Sequence, residues 1–156
     1  MIFRWNSNST NQINRIYNKL NVVMKLINII IAVFQILLGI GFIGFWIIFY
    51  FTEYKNPKMG EAAFKHEKSF PLPDLGWITV CLFVAAFGLL MEEKFGVFFS
   101  ALAGSGMMFL GLIDLAFDLQ NEVFKRRGFD VYMGIFIITL MLILGPVFII
   151  FAWFNI

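Results

Sequence analysis

Four long apolar segments separated by short charged stretches dominate the sequence. Residues 26–51, 75–91, 95–117 and 131–154 each approach or exceed the roughly 20 residues that cross the hydrocarbon core of a bilayer. Backbone polar groups inside a bilayer must be satisfied within their own segment, and the period-two alternation of a β-barrel is absent from the sequence, so helices are expected. With short connections, the sequence predicts an all-α integral membrane protein, an antiparallel four-transmembrane-helix bundle.

The composition excludes several other classes of protein. The chain is 60% hydrophobic and 14% charged, whereas soluble proteins average roughly 45–50% and about 25%. The formal net charge is +2, and no basic block with interleaved aromatic residues suggests nucleic acid. One cysteine and one histidine exclude a protein-only zinc site or a dithiol within one chain. Cys81 lies inside an apolar segment, where we expect a buried structural thiol.

The residues before the first apolar segment form an amphipathic pattern. Asn and basic residues occupy one side of a helix over residues 10–25, and the apolar positions of the other side recur at helical spacing: Ile13, Ile16, Tyr17, Leu20, Val23, Met24 and Ile27. This pattern predicts a short N-terminal amphipathic helix. It either lies at the membrane interface or continues straight into the first span.

The remaining boundaries follow from turn and cap signals. We expect one membrane domain over residues 1–156, with residues 52–74 as the main extramembrane loop. Asp74 follows Pro71 and Pro73, and this order predicts the N-cap of the second span. Residues 92–94 form a tight turn before the third span. His66, within the 52–74 loop, is expected to be solvated.

The sidedness of the chain is open from its charges. Four spans place both termini on one side, which carries five Lys and Arg residues: Arg4, Arg15, Lys19, Lys25 and Lys94. The other side carries seven, and that count favours termini outside. The purely basic N-terminal flank favours termini in the cytoplasm instead, and this is the orientation that we expect. The chain should reside in the cytoplasmic or plasma membrane.

One face of the third span carries small and acidic residues. Positions that alternate in spacing between four and three share this face: Ser100, Gly104, Met107, Gly111, Asp114 and Asp118. Small residues let helices approach closely in lipid. We therefore expect this face to lie inside the bundle. The Gly96/Ser100/Gly104 pattern also suggests association with a second copy or another membrane protein.

The acidic end of this face is the candidate site. Asp114 and Asp118 lie side by side, Glu122 continues the line, and Asp74 falls at the same end of the bundle. Two close carboxylates cannot both ionise at low cost unless a cation lies between them. Three alternatives remain: an ion or proton bound by the carboxylates, neutralisation by Lys68, Arg126 or Arg127, or hydrogen bonds to neighbouring helix ends. No cofactor is expected apart from such a cation.

The sequence favours a non-enzymatic function. No metalloprotease, nucleotide-binding or hydrolase motif occurs. The leading hypothesis is a helper, assembly or oligomer-forming subunit. The alternatives are a proton- or cation-binding transporter or channel component that uses Asp114 and Asp118, and a lipid-modifying membrane enzyme. Gln35, in the middle of the first span, is expected to form an interhelical hydrogen bond.

Overall fold

The computed structural model describes residues 7–54 and 60–156, and within these ranges the chain is helical without any strand. The prediction of an all-α protein is confirmed. Five helices follow one another: α1 (Ser7–Phe49), α2 (Glu61–Glu67), α3 (Thr79–Leu90), α4 (Lys94–Gln120) and α5 (Phe129–Asn155). Wider π-helical turns follow α1 at Tyr50–Tyr54 and precede α3 at Leu72–Ile78, and a 3₁₀ turn covers Val123–Lys125.

Four helical stretches are long and apolar enough to cross a membrane. They are Asn11–Thr52, Phe64–Leu90, Lys94–Gln120 and Val131–Asn155. The predicted number of such helices is confirmed. Each stretch extends beyond the apolar segment that marked it in the sequence, because a helix does not end where its apolar residues end.

The N-terminal amphipathic segment is not a separate helix. It is the first part of α1, which has 43 residues without interruption. At about 1.5 Å per residue this helix is about 65 Å long, roughly twice the thickness of a bilayer core. Ile16 and Leu20 of its apolar stripe are more than half exposed. Of the two alternatives, the structure shows the straight continuation.

The second candidate span begins earlier than Leu75, and this corrects the predicted loop and cap. The backbone N–H of Asp74 donates to the carbonyl of Phe70 at 2.9 Å, so the helical path already includes Asp74. No side-chain cap bond forms at the start of this turn or of α3. The prolines do not prevent this path, because the first turn of a helix leaves its N–H groups without intrahelical partners. The predicted loop 52–74 therefore contains α2 and the beginning of the second candidate span.

Glycines set the close contacts between helices. At Gly88 an added Cβ would lie 2.5 Å from the backbone of Gly96, and at Gly104 it would lie 2.6 Å from the carbonyl oxygen of Gly145. Ser100, Gly104, Met107 and Gly111 are all buried. The inward face predicted for α4 is thus confirmed. It is covered by helices α3 and α5 of the same chain.

The apolar core is built from all four long helices and leads towards the site. It joins buried side chains such as Trp46 of α1, Leu82 of α3, Met107 of α4 and Phe148 of α5. Cys81 is 1% exposed and belongs to this core, as expected. The core extends to Phe49 and Phe70, next to the end of the bundle where polar side chains gather.

Candidate functional site

A histidine and an aspartate form the centre of the polar end of the bundle. His66 Nε2 lies 3.1 Å from Asp114 Oδ1, and the two side chains are 16% and 22% exposed. His66 comes from α2 and Asp114 from the second half of α4, 48 residues apart in sequence. The contact joins two segments that sequence spacing alone could not connect.

The environment of His66 corrects the expectation of a solvated loop residue. Its ring stacks on Phe117, with 3.8 Å between ring centroids and an interplanar angle of 5°. The ring of Phe70 packs against it edge-on at 4.8 Å. His66 enters the bundle because α2 places it on the side that faces α4, whereas the neighbouring Lys65 is exposed and pairs with Glu61.

Asp74 is buried and only partly satisfied. Its side chain is 6% exposed, and Oδ2 accepts a hydrogen bond from Trp46 Nε1 at 3.0 Å. Oδ1 is buried without a hydrogen-bond partner among the residues that the structure describes. A carboxylate that replaces water with one indole N–H has lost more hydrogen bonds than it has gained.

Two further carboxyl groups complete what we call the acidic cluster: Glu67, Asp74, Asp114 and Asp118 around His66. Glu67 is half-buried and interacts electrostatically with Asp114, Asp118 and Asp74. Asp118 is half-buried and interacts with His66. Oδ2 of Asp118 lies 4.0 Å from where a Cβ would stand at Gly134, so this carboxylate faces α5.

The structure therefore brings together three of the four predicted site residues: Asp74, Asp114 and Asp118. Glu67 and His66 were missed as members. Glu67 and Asp74 are seven residues apart, a spacing that places two residues on one helical face. The spacing is informative only if the segment between Glu67 and Asp74 is helical, and the two prolines in that segment conceal this in the sequence.

Glu122 lies apart from the cluster. Helix α4 ends at Gln120, and Glu122 adopts a left-handed backbone conformation with φ 54°. Its side chain is exposed and pairs with Lys125 at 2.8 Å. The expectation that Glu122 continues the acidic line is therefore wrong, since the helical spacing on which it depended ends before this residue.

The basic residues expected to neutralise the aspartates, Lys68, Arg126 and Arg127, are all exposed. Lys68 is exposed, with its ammonium 5.4 Å from the centroid of the Phe64 ring. Arg126 is exposed and donates to the carbonyl of Asn121 at 3.4 Å, and Arg127 is also exposed. The group that pairs with Asp114 is His66, whose charge depends on protonation.

The donor set does not resemble a metal site. Within residues 7–54 and 60–156, no group of three or more His, Cys, Asp or Glu side chains converges in a way that could hold a metal ion. Phe70 and Phe117 pack against His66 and the indole of Trp46 bonds Asp74, whereas hard cations prefer a shell of six or more oxygens. The arrangement is suited to exchanging protons between an imidazole and nearby carboxyl groups.

The opposite end of the bundle carries a smaller polar group. Lys25 of α1 pairs with Glu92 of the α3–α4 turn at 2.8 Å, and both side chains are more than half exposed. A cavity of about 160 Å³ lies beside this pair, lined by residues 28, 89, 92–94, 97 and 155. Asn28 Oδ1 is buried there without a partner in the described part of the chain.

Between the two ends, one buried hydrogen bond connects α1 and α4. Gln35 Nε2 donates to Ser100 Oγ at 2.7 Å, and Ser100 in turn donates to the carbonyl of Gly96 at 2.8 Å. Both side chains are fully buried. The expectation of an interhelical bond at Gln35 is confirmed.

The fold and the cluster define a class of protein. It is an all-helical chain with four helices long and apolar enough to cross a membrane, closely packed at glycines, with a histidine–carboxylate cluster at one end. Comparison with protein-family models, with curated proteins and with solved structures found no match.

Proposed function

We propose that this chain is an integral membrane protein of four antiparallel spans, and that it acts as a non-enzymatic helper or assembly subunit that binds its partner through α1. The observation that carries the proposal is the burial of the four helices. In the most apolar part of the first span, 22% of the residues are buried. The corresponding share is 50% in the second span, 44% in the third and 33% in the fourth. Helix α1 therefore offers the largest unshared apolar surface.

The pairing of residues between helices supports an antiparallel arrangement. Gly39 of α1 contacts Phe83 of α3. Trp46 follows Gly39 in α1, and it bonds Asp74, which precedes Phe83 in the chain. In α4 and α5, Gly104 contacts Gly145, and Gly111 contacts Met141. Residue numbers rise along one helix as they fall along its neighbour, as in an up-and-down bundle.

This arrangement places the two polar groups at opposite membrane faces. Lys25 and Glu92 lie at the face shared with the α3–α4 turn, where the C-terminal end of α5 also lies because Asn155 lines the same cavity. The acidic cluster lies at the other face. The part of α1 before Lys25 then extends beyond the membrane by roughly 25 Å at about 1.5 Å per residue.

The Gly96/Ser100/Gly104 face is occupied within the chain, so a partner must contact another surface. Gly96 packs on Gly88, Ser100 bonds Gln35, and Gly104 packs on Gly145. The outer face of α1 is apolar through the span, with Leu37 and Ile40 more than half exposed. The close packing of the helices at Gly88, Gly104 and Gly145 favours a binding role over transport.

Photocrosslinking in the membrane tests this proposal. A photoreactive residue is introduced at Leu20 or Leu37 of α1, and for comparison at Phe109, an equally exposed position on α4. The expected result is a protein adduct from the α1 positions and none from Phe109. The mass of the adduct distinguishes a second copy from another protein. Absence of adducts from α1, or equal adducts from both helices, would contradict the proposal.

A second candidate function is a proton-binding component of a transporter or channel. It is favoured by one observation, the contact of His66 with Asp114 among three further carboxyl groups. Protonation of such a site does not require that the protein moves protons across the membrane.

A further inference from the structure

We propose that the acidic cluster is a proton-binding site in which the carboxyl groups of Glu67, Asp74, Asp114 and Asp118, gathered around His66, share protons at neutral pH. The inference concerns this site and holds whether or not α1 binds a partner. It commits to protons as the ligand, and a metal cation is the alternative that the experiment must exclude.

Without protons on its carboxyl groups, the cluster would carry a large negative charge. Four carboxyl groups and one imidazole sum to a net charge of −3 even with His66 charged. Electrostatic interactions link these groups, and His66 and Asp114 are in direct contact at 3.1 Å. Like charges in a poorly solvated site cannot all ionise at low cost, so they share protons or bind a cation.

The hydrogen bonding of Asp74 also favours a bound proton. The side chain is more than nine-tenths buried, Oδ2 is bonded to Trp46, and Oδ1 has no partner in the described ranges. Asp74 interacts electrostatically with Asp114 and Glu67, so it belongs to the same cluster. An ionised carboxylate here would have one donor for two oxygens. A bound proton removes the charge and so removes most of that cost.

The side chains around the carboxyl groups favour a proton over a metal ion as the ligand. From α2, His66 contacts Asp114 and Glu67 interacts with it electrostatically. Asp74, in the turn before α3, also interacts with Asp114, and Asp118 lies one turn further along α4. Helix α1 contributes the neutral Trp46. On α5, a Cβ added at Gly134 would lie 4.0 Å from Asp118 Oδ2. Aromatic rings and a glycine provide no oxygens for a metal, whereas a proton needs only the groups present.

The pair at the centre shows where a proton binds. With Asp114 ionised, the hydrogen of the 3.1 Å contact lies on His66 Nε2; with Asp114 protonated, it lies on the carboxyl group, so one hydrogen joins the two groups in either case. The flat stacking of His66 on Phe117 fixes the ring plane of the imidazole.

Infrared spectroscopy of the full chain in micelles tests the proposal directly. Exposed Asp and Glu titrate near pH 4 and are fully ionised at neutral pH. The protonated-carboxyl stretching band should therefore be visible at neutral pH in the wild-type protein and disappear at alkaline pH. A wild-type protein without this band at neutral pH would overturn the proposal, and that measurement needs no variant.

Variants assign the band to the cluster. Asp114→Asn and Glu67→Gln should each reduce the band area, by about twofold or more if the proton is shared. Glu61→Gln is the matched control on the same helix as Glu67, because Glu61 is exposed and paired with Lys65, and it should leave the band unchanged. Equal bands in all variants would contradict the assignment. Circular dichroism verifies that each variant is folded.

The single histidine provides an independent readout. The chain contains one His, so isotope-labelled histidine gives one imidazole signal in magnetic resonance. In Asp114→Asn this signal should shift, because the carboxyl group that contacts His66 Nε2 is replaced by an amide. Addition of Na⁺, K⁺, Mg²⁺ or Ca²⁺ should leave the wild-type infrared band unchanged. Loss of the band on adding one of these ions would identify a metal site and overturn the proposal.

Discussion

Gln35 and Ser100 are joined by a 2.7 Å hydrogen bond although 65 residues separate them in the chain. The bond connects α1 to α4 in a region where nearly all other contacts are apolar, and both side chains are fully buried. Ser100 also donates to the Gly96 carbonyl, so its hydroxyl is both donor and acceptor. In an apolar interior a polar pair of this kind fixes which helix faces meet.

Ser100→Ala should destabilise the protein modestly. The substitution leaves the buried Gln35 amide without its acceptor, and interhelical hydrogen bonds in membrane proteins contribute about 0.5–1.7 kcal/mol. We expect a loss of that order in the free energy of unfolding in micelles. Ser105→Ala is the control, since Ser105 is exposed and bonds only the carbonyl of Leu102. Equal losses for both variants would contradict the assigned role of the bond.

Gly104→Ala should destabilise more strongly. The added methyl group would lie 2.6 Å from the carbonyl oxygen of Gly145, a backbone atom that cannot move aside without displacing α5. Overpacking of this kind costs about 1–3 kcal/mol. Gly41→Ala is the matched control on α1, because nothing lies within 4 Å of its added methyl group. Thermal unfolding of the two variants should give a lower midpoint for Gly104→Ala alone.

Trp46→Phe should lower the free energy of unfolding, because Asp74 Oδ2 loses its hydrogen-bond donor. The substitution keeps an aromatic ring in the core but removes the indole N–H that bonds Asp74 Oδ2. A buried acceptor left without a donor costs about 1–3 kcal/mol. Trp153→Phe, at an exposed position, should change the free energy of unfolding little. If Asp74→Leu in the Trp46→Phe background failed to recover any stability, the explanation through an unpaired buried acceptor would be wrong.

Glu122→Gly should stabilise the turn after α4. Glu122 has φ 54°, a region that costs a residue with a Cβ about 1–2 kcal/mol and glycine almost nothing. The exposed pair with Lys125 that is lost contributes little. The expected net effect is a small rise in the unfolding midpoint. Glu122→Gln, which keeps the strain and removes the charge, should show no rise.

Particular residues show how far the sequence alone could reach at the site. Asp114 and Asp118 were identified correctly as inward-facing, because their face is continuous with Ser100 and Gly104 along one helix. Glu122 was assigned wrongly because the same regularity was extended past the end of α4. His66 and Glu67 were missed because their role depends on α2, a helix of seven residues that is too short to produce a clear pattern.

The sequence by itself determined the number of long apolar helices and the inward face of α4. Both depend on local regularities: the length of an apolar run and a helical repeat within it. Only the tertiary structure decided that α1 is one uninterrupted helix, that Trp46 bonds Asp74, and that His66 lies against Asp114. Those contacts join residues far apart in the chain, and they form because the glycine-lined helices approach closely enough to bring two distant segments to the same end of the bundle.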